Sequence, residues 1–341
     1  MTVALPIADS VEIRPDGIVG PRDIRFVQTL RISLTDRCNF RCVYCMPEDK
    51  LDWIPRDELL SFEEIEAVAR TALSLGITSF KLTGGEPLVR HDVPRLVSML
   101  RALPGVTDLS MTTNGALLDE YAPALRQAGL DRLTVSLDTL DRDRFRAITR
   151  GADIDAVWRG IRAAIDAGFK HPKLNCVTMR GVNDDEFADF AALTLDTDLT
   201  IRFIEYMPLG RTALGGEYEQ RFISESKIRR SIENRHGPLE CADRDTGHGP
   251  AKVWRVPGAK GRIGFISAMS KPFCETCNRL RLTAQGQLRS CLFDGGEVEL
   301  RSLLREGSPP DTMRDAFIRC VAYKPEVHSY YGNRQMSQIG G

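Results

Sequence analysis

Cys38, Cys42 and Cys45 stand at spacing C-x3-C-x2-C within RISLTDRCNFRCVYCMP (31–47), with Tyr44 directly before the third thiol. Disulfides between thiols so close on one loop would close strained rings, whereas the same thiolates can converge on a metal centre. A structural zinc is closed by four protein ligands, and an ordinary cubane cluster also takes four cysteines. Three leave one metal position open, which chemistry at the metal requires; a zinc loop completed by a distant His or Cys is the plainer alternative. Cys274, Cys277 and Cys291 repeat the three-thiol pattern at C-x2-C-x13-C. Taken alone, this second set reads equally as an iron–sulfur cluster or as a zinc ribbon completed by Cys241, Cys320 or a histidine. Two such sets in one chain favour two clusters, each with an iron free for a small-molecule ligand. Cys176, in a strand pattern, and Cys320, in a helical one, read as buried apolar side chains.

Glycines and cations accompany the thiols. GGEP (84–87) follows a strand-like segment and lacks the G-x-G-x-x-G spacing of a dinucleotide fold. Its glycines either let main-chain carbonyls accept bonds from a ligand ammonium at close range or simply make a tight turn. In CNRLRL, Arg279 and Arg281 share one strand face beside the second thiol set, and Arg31, Lys81, Lys173 and Arg202 fall on or near other strands. Guanidinium forks match phosphate oxygens. With 46 basic against 47 acidic residues and a net charge of −1, the chain has no global pull toward nucleic acid or membrane. Cations on several strands therefore suggest a local, triphosphate-sized anion inside a barrel mouth.

The elements that must hold these groups alternate. A strand from Leu30 leads into the first cysteine loop. Ser61 and Glu64 then form a capping-box pattern before a helix through Val68 and Leu73, and Gly76 suits its stop. Strand-like segments recur at 77–83, 108–113, 132–138, 173–179 and 200–207, separated by helical periodicity. This rhythm predicts parallel β/α units with right-handed crossovers. Six units are too few for an ordinary eight-stranded barrel, leaving a partial barrel or an open doubly wound sheet, in either case with ligands at the carboxyl ends of the strands. Beyond 207, a polar helix near Ser224, a Gly/Asp/His-rich linker (242–250), short alternating strands and a hairpin predict an α+β extension with antiparallel pairing. Residues 1–27 read as a flexible leader, 28–245 as the barrel and 246–341 as the extension with its Gly340-Gly341 tail. No signal peptide or membrane-spanning run is read from the chain, and nine cysteines in that setting point to metal binding in a reducing cytoplasm.

Taken together, C-x3-C-x2-C, GGEP, MTTNG, VSLD, RFIEYMP, CNRLRL and the terminal Gly-Gly resemble the GTP 3′,8-cyclases, the radical S-adenosylmethionine (SAM) family of the first step of molybdenum cofactor biosynthesis. The likeness runs from Arg31 to the C-terminus. It implies a partial (β/α)6 TIM-type barrel with an extension carrying a second iron–sulfur cluster. Cys38, Cys42 and Cys45 would hold one [4Fe-4S] cluster, and Cys274, Cys277 and Cys291 the other. SAM contacts are implied at Tyr44, Gly85, Ser136 and Met207. GTP contacts are implied at Arg31, Lys81, Thr112, Lys173, Arg279, Leu280 and Arg281, with Arg202 near the triphosphate. Lys81 stands where many members have Arg, keeping the charge without the bidentate fork. The open iron of the first cluster would chelate SAM, and that of the second the guanine. A radical from SAM would take hydrogen from ribose C3′, and C3′ would join C8 to give 3′,8-cyclo-7,8-dihydroguanosine triphosphate. Gly340 and Gly341 would reach into the site and, with Arg202, serve catalysis. The resemblance also implies a low-potential electron donor and, as the next pathway enzyme, cyclic pyranopterin monophosphate synthase. The expected protein is a cytoplasmic monomer or homodimer that binds neither nucleic acid nor membrane. The alternatives are a radical SAM peptide maturase, which needs no triphosphate pocket, and a non-catalytic zinc protein, which metal analysis separates.

Overall fold

Six strands set the architecture: β1 (Thr29–Ser33), β2 (Ser79–Thr83), β3 (Asp108–Thr113), β4 (Arg132–Ser136), β5 (Lys173–Thr178) and β6 (Thr200–Glu205), each parallel to the next. The computed structural model describes residues 21–48, 53–210, 212, 214, 218–243, 249–293, 297–329, 332, 334 and 336–340. Most of the expected leader (1–20), residues 244–248 of the expected linker, Tyr330, Tyr331 and Gly341 lie outside the described residues. Between the strands cross α1 (Phe62–Ser74), α2 (Val93–Arg101), α3 (Leu118–Gln127), the pair α4 (Arg142–Thr149) and α5 (Ile154–Asp166), and α6 (Phe187–Asp196). α1 begins with the reciprocal capping box of Ser61 and Glu64, which satisfies two main-chain donors at the helix start. α4 escapes sequence reading because RDRFRAIT offers only Phe145 and Ile148 as large apolar positions; it is started instead by Asp141, whose carboxylate accepts from the Arg144 amide at 2.7 Å.

Alternation along the strands divides the interior. Leu30, Ile32, Phe80, Leu82, Leu109, Met111, Leu174, Ile201 and Phe203 belong to the buried core, together with Ile65, Val68, Leu96, Val97, Leu125 and Ile161 of the helices. Each such large side chain contributes about 1.5–3 kcal/mol relative to leaving it in water. The intervening strand positions face the other way, into the sheet's concave side.

The last third of the chain supplies α7 (Tyr218–Arg221), α8 (Glu225–His236), β7 (Glu240–Cys241), β8 (Lys252–Arg255), β9 (Arg262–Ile266), β10 (Arg279–Leu282), β11 (Gln287–Arg289), β12 (Glu297–Glu299), α9 (Arg301–Arg305), α10 (Pro310–Ala322) and α11 (Met336–Ile339). Antiparallel pairing is found as expected between β8 and β9 and between β10 and β11. β9 and β10 do more than that: β9 adds parallel to β6, and β10 adds parallel to β1. The single sheet runs β12-β11-β10-β1-β2-β3-β4-β5-β6-β9-β8-β7, so eight consecutive strands are parallel. One sheet thus includes strands from both sides of the expected boundary at 245. No helix among the described residues is long and apolar enough to cross a membrane.

Candidate active site

Parallel neighbours stand in register, so inward-facing residues form rows around the sheet. One row is Arg281, Arg31, Lys81, Ser110 and Arg132. The next is Thr112, Thr134, Lys173, Thr200 and Arg262, and a third is Ser136, Asn175, Arg202 and Gly264. They enclose a cavity of about 360 Å³ that both cysteine sets also line. Gly264 leaves room for Arg202 to lie across it, since a Cβ there would stand 3.0 Å from Arg202 Cγ. Among the described residues, every expected site residue lines this cavity except Leu280, which is fully buried in the apolar core, and Gly340.

The rows collect buried positive charge. Burial first, then Arg281, Arg279 and Arg202, holds Arg31 far below the usual guanidinium range. Burial and the cations Arg202, Arg31, Arg132 and Lys173 do the same to Lys81. Burial, with neighbouring arginines, brings Arg202 to about 10 and Arg281 to about 9. Lys81 Nζ and Arg202 Nη2 both donate to the Thr134 hydroxyl, at 3.4 and 3.0 Å. Arg132 is engaged by Asp108, which also accepts from Ser79. Thr83 Oγ1, Thr112 Oγ1, Asn175 Oδ1 and Arg202 Nε are buried and find no hydrogen-bond partner among the described residues. Buried cations that depress one another, beside orphaned polar atoms, are costly without a partner. A polyanionic ligand with hydroxyl and carbonyl groups would relieve both costs.

The first cysteine loop is held at the carboxyl ends of β1 to β4. Phe40 packs edge-on against Phe145, and the Arg41 and Val43 amides donate to Thr149 and Ile148 of α4 at 3.1 and 2.9 Å. Tyr44 donates to Asp138 at 2.8 Å, and the other oxygen of that carboxylate accepts from the Val177 amide. The glycines of GGEP bring the turn against the loop's own main chain: a Cβ on Gly85 would stand 2.4 Å from the carbonyl oxygens of Asp36 and Arg37. Glu86 then ties this turn to the end of β3, accepting from Thr113 Oγ1 at 2.7 Å and the Asn114 amide at 2.6 Å. Burial raises the Cys38 thiol to about 11 and also pushes Cys42 and Cys45 up, with nearby acidic groups adding to it. Such thiols keep their protons until a metal displaces them.

The second set lies in the opposite field. Burial pushes the Cys277 thiol up, but Arg279 and Lys324 outweigh it and bring it to about 6. Arg279 also lies over the Phe273 ring, 5.2 Å from its centre. His328 stacks on Phe293 with ring centres 4.2 Å apart. The segment before Cys274 is braced by Glu205 at the end of β6, whose carboxylate accepts from the amides of Met269, Ser270 and Glu225 at 2.9, 2.8 and 3.0 Å. Among the described residues no three His, Cys, Asp or Glu side chains are drawn together tightly enough for a single metal ion. The fit to clusters rests on donor type and placement, three thiols on each side of one cavity.

The tail crosses back to this cavity. Gly332 bridges to Leu209, and Arg334 donates to Glu297 at 2.8 Å. Gly340 is buried with φ +70°, and a Cβ on it would stand 2.5 Å from Thr83 Oγ1 and 3.0 Å from Ser33 Cβ. Sequence reasoning missed Glu86, Asp138, Glu205 and Lys324. The first three are acidic residues at strand ends inside GGEP, VSLD and RFIEYMP, a signal that was available; Lys324 follows α10 without any motif.

Residues 32–194 match the family described as Radical SAM superfamily, and residues 199–330 that described as Molybdenum Cofactor Synthesis C. The chain is 46% identical to a GTP 3′,8-cyclase of Pelotomaculum thermopropionicum over 321 residues, covering 93% of this chain and 98% of that protein. It is 47% identical to the GTP 3′,8-cyclase of Moorella thermoacetica over 321 residues, with the same coverage. Among solved structures, SuiB of Streptococcus suis bound to S-adenosylmethionine shares the fold, with a TM-score of 0.57 at 14% identity over 92% of this chain and 78% of that one.

Proposed function

The chain belongs to the GTP 3′,8-cyclase family of radical SAM enzymes, and from that membership we propose how its residues divide the work. It catalyses the first step of molybdenum cofactor biosynthesis, cyclising GTP to 3′,8-cyclo-7,8-dihydroguanosine triphosphate. Cys38, Cys42 and Cys45 hold the [4Fe-4S] cluster that the family implies, and Cys274, Cys277 and Cys291 hold a second. With Cys38, Cys42 and Cys45 holding the first cluster and SAM beside it, the pair would supply the one-electron chemistry that opens the reaction at the ribose.

The chain's own residues bind, orient and exclude. Tyr44, Gly85, Ser136 and Met207 flank SAM. Arg31, Lys81, Lys173, Arg202, Arg279 and Arg281 neutralise the triphosphate, and Thr112 offers its orphaned hydroxyl to the nucleotide. Gly340 and Gly341 close the site. The observation that carries this reading is the set of buried cations on the inner rows, which lower one another's basicity between two three-thiol sets. A peptide substrate would leave that charge unmatched. A reactive radical also demands fixed geometry, which the strand-borne residues lining the cavity supply. We further assign a low-potential electron donor as partner, cyclic pyranopterin monophosphate synthase as consumer of the product, and a reducing cytoplasm as the setting.

Anaerobic incubation with SAM, dithionite and GTP tests the reading. It expects 5′-deoxyadenosine to form in step with loss of GTP, with about eight irons and little zinc per chain. SAM cleavage that ignores GTP but responds to a peptide would replace it with the maturase.

A further inference from the structure

Lys324 is buried, 4% exposed, and no step above uses it. It follows α10, its ammonium donates to the Ser290 carbonyl at 3.0 Å, and it lies 3.5 Å from Cys277 Sγ. Ser290 directly precedes Cys291, so one ammonium touches the thiol of one member of the set and the main chain adjoining another. Arg279 Nη2 approaches the same Cys277 sulfur at 3.7 Å. Around the first set the charges are reversed: the buried carboxylate of Glu86 accepts from the amide of Asn114, whose side chain reaches Cys38, and Asp138 accepts from Tyr44, which stands between Cys42 and Cys45 in the chain.

We propose that Lys324 is the charge partner of the second cluster, holding its thiolates and setting its reduction potential above the value it would have without the ammonium. The inference rests on the reading that Cys274, Cys277 and Cys291 hold a cluster. Three thiolates and a cubane core carry net negative charge, and one-electron reduction adds to it. An ammonium donating to a ligating sulfur in a buried site stabilises the more negative state, because cluster potentials respond to net charge and to hydrogen bonds at sulfur. A lysine kept this far from water is costly unless a negative group compensates it. The thiolates supply that group. Lys324 is therefore a positioning and tuning residue, acting on substrate only through the cluster.

The test is an anaerobic redox titration, followed by electron paramagnetic resonance, of the reconstituted full chain beside Lys324→Met and Lys324→Arg. The first cluster serves as internal reference. The expected result is a lower midpoint for the second cluster in Lys324→Met, no change at the first, and a midpoint near that of the unchanged chain in Lys324→Arg. Loss of only the second cluster in Lys324→Met, with retention in Lys324→Arg, supports the same conclusion through assembly. An unmoved second midpoint, equal shifts at both clusters, or loss of the second cluster in both variants would overturn it. If the unsubstituted chain binds only about four irons, the second-cluster reading itself falls, an outcome visible before any variant is compared.

Discussion

Arg281 donates to the carbonyl of Gly340 at 2.5 Å, so the tail ends on the same row of cations that carries Arg31 and Lys81. Met336 and Ser337 of the same tail line the cavity, and Gly340 packs behind that lining. Gly340→Ala forces a side chain into a left-handed backbone position and against Thr83 and Ser33, a strain of about 1–2 kcal/mol before any clash is counted. GTP-dependent turnover should fall roughly tenfold or more, and deletion of both glycines should lower it further. Iron content should stay unchanged. Normal turnover in the truncated chain would return the tail to an ordinary frayed end.

Cys45→Ser should abolish 5′-deoxyadenosine formation and leave about half the iron, because each thiol set serves one cubane. Cys277→Ser should keep SAM cleavage chemistry at the first site and lose cyclisation. Complete loss of iron from either single variant speaks against two independent sites.

Arg202→Met or Lys81→Met removes one charge from the inner rows. Each should weaken GTP binding by about 1.5–3 kcal/mol, the worth of a charge-assisted hydrogen bond, and leave SAM binding nearly unchanged. Calorimetry with each ligand decides. Equal losses for both indicate a folding defect.

Glu205→Gln should uncouple the two halves of the site. The carboxylate ties the Met269 and Ser270 amides of the segment before Cys274, and the Glu225 amide at the start of α8, to the end of β6, and an amide in its place turns one acceptor into a donor. The variant should release several 5′-deoxyadenosines per cyclised GTP where the unsubstituted chain releases about one, as displaced substrate loses its near-attack geometry. An unaltered ratio with lowered stability would confine Glu205 to folding.

Burial raises Glu86 to about 7, above its unfolded value. Between the two values the folded chain holds a proton that the unfolded chain has released, so this residue makes stability fall as pH rises through about 4.5 to 7, by up to about 1.4 kcal/mol per unit. Glu86→Gln should remove that component from the pH dependence of urea unfolding in cluster-free protein. Parallel curves for the two proteins would show that Glu86 is ionised throughout.

Much of this was legible in the chain itself. The strand-like segments and the cysteine spacings located the β/α core and the groups at its carboxyl end, because alternation and capping are local properties. The roles of β9 and β10 were hidden, since their parallel partners β6 and β1 are not joined to them by the β/α rhythm. Gln28 and Asn278, bonded side chain to side chain at 2.7 Å beside β1 and β10, are 250 residues apart. Lys324 was invisible for a similar reason: a lone lysine after a helix gains meaning only from the sulfur that folding brings beside it. The glycines of GGEP could be read as a close approach, but not that the approach is to the main chain at Asp36 and Arg37.

That pairing of β1 with β10 and of β6 with β9 also orders the protein's birth. A nascent chain that has left the ribosome through β6 carries a parallel sheet with both margins open, and open margins invite pairing with other chains. β9 seals one margin and β10 the other only as the final quarter emerges, at a high cost in loop closure and folding speed. The first thiol set is synthesised early, yet its chamber is completed last. A shortened chain ending before β9 should therefore fall to chaperones and proteases rather than persist as a smaller enzyme.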